Sequence, residues 1–206
     1  MELLEVKHLK KVYNTRLGGK QCVALRGVSF SVGKGEFTAI MGASGSGKTT
    51  LLNLIASLDK PTEGEILLDG LNFNAISDKT VSAFRRNNLG FVFQDFNLLD
   101  TFSIRDNILL PLVLSNMPIK EMESRLLPLA RKLGIIELLD KFPFEVSGGE
   151  KQRTAVARAV ITDPKLILAD EPTGSLDSKA SAALLEQFAD LNGEGRTLLM
   201  VTHSST

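Results

Sequence analysis

Gly42-Ala43-Ser44-Gly45-Ser46-Gly47-Lys48-Thr49, followed by Thr50 and the run LLNLIASL at 51–58, decides the fold of this 206-residue chain. The eight residues fit G-x-x-x-x-G-K-[ST]. In that pattern glycines let the backbone curl until successive N–H groups point at phosphate oxygens. Lys48 then reaches the β- and γ-phosphates, and the Thr49 hydroxyl is placed to bind Mg²⁺. The flanks agree: residues 37–41 form an apolar run of strand length, and residues 49–58 have helical spacing.

Outward from this loop the chain alternates. Residues 2–6, 22–32, 65–69, 89–93, 166–169 and 197–201 read as further strands, with a glycine-bearing hairpin loop expected at 14–21. Helices are expected at 103–115, 118–132, 149–162 and 178–191. Strands alternating with helices predict an α/β core with a mostly parallel sheet covered on both faces, preceded by an N-terminal antiparallel β portion. Residues 95–149 carry no convincing strand, so they read as an inserted α-helical lobe. The core then covers about 1–94 and 150–206 of a single domain.

Two further stretches carry chemistry. Lys165-Leu166-Ile167-Leu168-Ala169-Asp170-Glu171 is an apolar strand ending in two carboxylates. It would deliver Asp170 to the sheet edge, beside a Mg²⁺ held at Thr49. Glu171, one residue on, can face the γ-phosphate and orient or deprotonate water. Alone, such an acid pair also fits a helix cap before Pro172. Val146-Ser147-Gly148-Gly149-Glu150 opens a helix with a hydroxyl and two glycines, an anion site made of N–H groups and helix dipole. One chain does not need two γ-phosphate sites on separate lobes, whereas two chains in head-to-tail contact do. Alone, Ser147 also fits a plain N-cap.

Together the segments 42–49, Gln94, 146–150, 166–171, Ser175-Leu176-Asp177 and His203 stand in the order found in ABC-type ATPases, and the chain resembles that family over nearly its whole length. The resemblance implies a P-loop NTPase core that binds ATP and Mg²⁺ and hydrolyses ATP. Gln94 would contact Mg²⁺ and water and link the core to the helical lobe. Asp177 would belong to the loop coupling two ATP sites, His203 would contact the γ-phosphate, and Tyr13 would stack on adenine. Ser147, Gly148 and Gly149 would meet the ATP of a second copy. Two departures stand out: Glu150 replaces the usual Gln and Val146 the usual Leu. The chain ends at Thr206, where family members continue, so a truncated C-terminus is expected.

Residues 90–112 and 170–179 resemble ATPase subunits of the bacterial antimicrobial-peptide resistance and lipoprotein-release permeases, closest to the bacitracin-resistance type. That implies a membrane permease as partner. The apolar segment after Gln94, with Phe96, Leu98, Leu99 and the start of the helix at 103–115, is the expected docking surface. The longest apolar run, 108–114, has seven residues and contains Pro111, so it cannot span a bilayer. A cytoplasmic, peripheral location follows as the expectation. Lys plus Arg equals Asp plus Glu at 24 each, which supplies no global field for nucleic acid. Cys22 is the only cysteine, so an intrachain disulfide or a multi-cysteine zinc site is impossible. The alternatives are a non-transport ABC ATPase and a nucleotide-sensing module. Only about fifty residues separate Gln94 from Ser147, with no sustained heptads for an inserted coiled coil. Lys48, Asp170 and Glu171 are all present, against a module without catalysis.

Overall fold

The computed structural model describes residues 1–14 and 21–203. Among them, β1 (Glu2–Tyr13), β2 (Cys22–Gly33), β4 (Glu63–Leu68) and β5 (Leu71–Asn72) form an antiparallel sheet in the order β2-β1-β4-β5. A second, parallel sheet runs in the order β3-β8-β7-β6, from β3 (Phe37–Met41), β8 (Thr197–Thr202), β7 (Leu166–Asp170) and β6 (Leu89–Val92).

The inner strands of the parallel sheet, β7 and β8, are buried on both faces, which explains their nearly unbroken apolar runs. Along β7, Leu166 and Leu168 pack with α1 (Lys48–Ile55) and the antiparallel sheet, in a cluster containing Leu4, Leu52 and Ile55. Ile167 and Ala169 point the other way, into a cluster with Ile104, Ile108, Val156 and Phe188. Those residues come from α3 (Ile104–Val113), α5 (Gly148–Val160) and α6 (Ser178–Gly193). α4 (Ile119–Lys132) adds Met122, Leu126 and Ala130 to the same cluster. Each fully buried leucine or isoleucine contributes about 1.5–3 kcal/mol. The helices expected after residues 103 and 118 and the absence of strands between 95 and 147 agree with the observed elements.

Register sets the site. Met41 pairs with Thr202 and Asp170 with Val201, so β3, β7 and β8 end level. Whatever follows them converges on the carboxyl edge of the sheet, where ligands bind in open α/β folds.

Two local expectations change. β1 runs on to Tyr13 rather than stopping near residue 6. His8, at φ 47°, bulges the strand and breaks its alternation, and its N–H donates to the Ser29 hydroxyl at 2.8 Å. The expected hairpin loop lies mostly outside the described residues, although Tyr13 does pair with Cys22. α2 (Val81–Asn88) was not foreseen, because it buries no residue completely. Contacts from outside the segment hold it: Phe84 packs edge-on against Phe73 at 5.1 Å, and Arg85 donates to the Ser57 carbonyl at 2.9 Å.

Candidate active site

The glycine loop from Gly42 to Gly47 leads directly from β3 into α1. Gly47 has φ 94°, and a Cβ there would stand 2.5 Å from the Ala24 carbonyl oxygen, so no other residue fits. No side chain caps α1, and no acid lies in its first turn. Its first N–H groups therefore have no intrahelical partner and remain available to an anion.

Lys48 is 7% exposed, and its ammonium donates to the carbonyls of Gly42 at 2.8 Å and Ala43 at 3.0 Å. It stands 4.0 Å from Glu171 Oε1. The Thr49 hydroxyl lies 3.4 Å from Asp170 Oδ1. Burial raises the Asp170 pKa, opposed by the Thr49 hydroxyl and reinforced by the neighbouring Glu171. A bound cation would reverse that shift. Both groups are hard oxygen donors, the chemistry that suits Mg²⁺.

Glu171 sits at φ 43°, a left-handed conformation that costs a residue other than glycine about 1–3 kcal/mol. Its N–H donates to the Val201 carbonyl and its own carbonyl accepts from Gly174 N–H, both at 2.9 Å. These bonds turn the carboxylate toward His203, whose Nδ1 lies 2.8 Å from Glu171 Oε2. The Gln94 amide lies against the same turn: a Cβ on Gly174 would be 3.0 Å from Gln94 Nε2 and 3.2 Å from the Glu171 carbonyl. Lys48, Thr49, Gln94, Asp170, Glu171 and His203 thus gather at one sheet edge.

Tyr13, at the end of β1, lies beside α1. Its hydroxyl donates to Asp59 at 2.9 Å, the Lys11 ammonium lies 4.8 Å from its ring centroid, and Thr50 is a further hydrogen-bond neighbour. Asp59 and Lys11 were not foreseen, since single charges in unrelated segments carry no spacing signal. The same holds for Arg158. Its guanidinium donates to the carbonyls of Asn97 at 2.6 Å and Phe96 at 2.8 Å, pinning two left-handed residues just after Gln94.

Ser147, Gly148 and Gly149 stand apart. Ser147 caps α5, its N–H and hydroxyl both donating to Glu150 Oε2 at 2.7 and 2.8 Å. Among the described residues no hydrogen bond or ion pair joins these three to Lys48, Thr49 or Asp170. Asp177 caps α6, accepting from Ala180 N–H at 2.8 Å. Of the expected docking surface, Phe96 is half-buried, Leu98 packs partly buried against the core and Leu99 is 44% exposed.

The profile of the family described as ABC transporter matches residues 25–174. The chain is 53% identical over 207 residues to the uncharacterized ABC transporter ATP-binding protein YvcR of Bacillus subtilis, covering 100% of this chain and 80% of that one. It is 47% identical over 204 residues to the bacitracin export ATP-binding protein BceA of Halalkalibacterium halodurans, covering 98% and 80%. A solved structure, described as a dimeric post-hydrolysis state of the ATP-binding cassette MJ0796 bound to ADP and Pi, superposes with a TM-score of 0.87. It shares 38% identity and covers 98% of this chain and 88% of its own.

Proposed function

The chain belongs to the ABC transporter family of ATP-binding proteins, and on that premise we propose that two copies pair head to tail around ATP to drive a separate membrane permease. Lys48 and the N–H groups of the loop from Gly42 to Thr50 hold the β- and γ-phosphates. Thr49, Asp170 and Gln94 would supply the oxygens to hold Mg²⁺, which would offset the phosphate charge. Glu171 polarises the attacking water, His203 orients that carboxylate at the γ-phosphate, and Tyr13 stacks on adenine. Asp177 lies on the loop that passes between the two sites.

One observation carries the two-copy reading. Gly148 and Gly149 open α5 although glycine is the poorest helix former after proline. Neither has a positive φ. A Cβ would find nothing closer than 3.9 Å at Gly148 and 3.6 Å at Gly149, ordinary contact distances. Nothing among the described residues calls for glycine there. A phosphate of another copy, approaching the exposed Ser147 and the backbone, does.

The bacitracin-export relative and the likeness of residues 90–112 to its group support a permease that handles antimicrobial peptides, or one that exports lipids or peptides. Among the described residues no helix is long and apolar enough to cross a membrane, so the permease supplies the spans and holds this subunit at the inner face of the cell membrane.

Glu171→Gln keeps size and hydrogen bonding but removes the base. Turnover should fall by ~10²–10⁴-fold, the usual contribution of a general base. ATP should still bind, and light scattering with ATP and Mg²⁺ should report a dimer. A folded variant that binds ATP yet stays monomeric, with and without permease, refutes the pairing.

A further inference from the structure

Away from the phosphate loop, three buried polar atoms gather between α5 and α6. Gln152 on α5 is 1% exposed, and its amide nitrogen donates to the Pro172 carbonyl at 2.9 Å. That bond fixes which end of the amide is oxygen. The oxygen, Gln152 Oε1, has no hydrogen-bond partner in the protein. The same is true of Arg153 Nε on the same helix and Gln187 Oε1 on α6. All three side chains line one cavity, closed by Leu176, Ala180 and Leu184, that offers about 10 Å³ to the centre of a water molecule. That is room for one water.

We propose that this cavity is a binding site for a single water molecule. The donor and acceptor inventory matches: Arg153 Nε–H donates to the water oxygen, and the two water hydrogens go to Gln152 Oε1 and Gln187 Oε1. The guanidinium disfavours a cation and the two carbonyl oxygens disfavour an anion. Left unpaired, these groups would carry a standing desolvation penalty that the water removes.

The water has a mechanical consequence, which rests on the head-to-tail reading above. Gln152 grips the carbonyl of Pro172, the residue after Glu171. Through the water the same side chain is tied to Gln187, on the helix that Asp177 caps. α5 is capped by Ser147, the group that meets the other copy's ATP. One bridged side chain thus braces the helix facing the partner's nucleotide against this chain's own catalytic turn. Gln152 and Gln187 are positioning residues.

A crystal structure of the whole chain at about 1.5 Å should show one ordered water within ~2.7–3.2 Å of all three atoms. A dry cavity, or these side chains paired directly with one another, overturns the site. For the brace, Gln187→Leu removes one acceptor far from the phosphate loop. ATP affinity of the single chain should be unchanged, while kcat should fall about 2- to 30-fold, the range of coupling effects between sites. Gln187→Glu, which keeps an acceptor oxygen, should recover most of it. A Gln187→Leu variant with altered thermal stability but unchanged kcat shows a packing role only and overturns the brace. If the unaltered chain never hydrolyses ATP, the ATPase reading fails, while the crystallographic result still decides the water.

Discussion

Glu150 shows how one residue is tied to pH. Its carboxylate accepts from the Ser147 N–H and hydroxyl, and these bonds, the N–H foremost, hold its pKa below the ordinary glutamate value. A group with a depressed folded pKa adds stability above its unfolded pKa and loses it as pH falls through the folded one. The loss should therefore begin below about pH 4.3, the ordinary glutamate value. Glu150 is half-buried at a helix end, so solvent screening limits the effect to a few tenths of a kcal/mol, on the scale of exposed pairs. Glu150→Gln keeps the shape and cannot titrate. Urea midpoints should fall less for this variant than for the unaltered chain between about pH 6 and pH 3. Parallel falls would mean that the capping charge adds nothing. The place of Lys48 and Thr49 at the start of α1 was legible because a glycine spacing announces it. Lys11, Asp59 and Arg158 were not, since Lys11 meets Asp59 across 48 residues and Arg158 reaches Asn97 across 61.

At the scale of elements, α2, β6 and α3 leave a groove of about 440 Å³ between them. Leu58, Phe91, Phe93, Pro111 and Leu114 line it, with Arg85, Arg86 and Arg158. None of these arginines makes an ion pair with a carboxylate among the described residues. Arg158, largely buried, has its charge disfavoured by that burial. An amphipathic segment of the permease, with an apolar face and an acidic side chain, would suit this groove, whose Asn97 and Leu110 adjoin the surface first expected around Phe96, Leu98, Leu99 and the start of α3. Leu114 is 58% exposed, so Leu114→Asp should leave the fold and ATP affinity intact. It should weaken association with the permease by about tenfold or more, the loss of one interface anchor. Permease-stimulated ATPase activity against enzyme concentration would read this, and an unchanged curve would move the contact elsewhere. α2, which forms one wall, was invisible in the sequence because packing against Phe73 and Ser57, not its own periodicity, holds it.

For the whole molecule, stability and pairing should separate at Gly149. Gly149→Ala adds a methyl where there is room and improves helix propensity by up to ~1 kcal/mol. The single chain should melt at the same temperature or higher. In the Glu171→Gln background the ATP-dependent dimer should nevertheless be lost, because the methyl stands where the partner's phosphate approaches. A stabilised chain that still dimerises would return the glycines to a purely local role. The sequence by itself determined the phosphate loop, the acid pair after β7, the capped start of α5 and the alternation of strands and helices. Each is written in a short run whose spacing follows from backbone geometry, as when four buried residues of β7 must be apolar to face two cores. Only the tertiary structure decided that Glu171, His203 and Lys48 meet at one edge, because that depends on β3, β7 and β8 ending in register. It alone also gathered Gln152, Arg153 and Gln187 around one cavity, since the packing of two helices is a property of distant residues and leaves no mark on either segment.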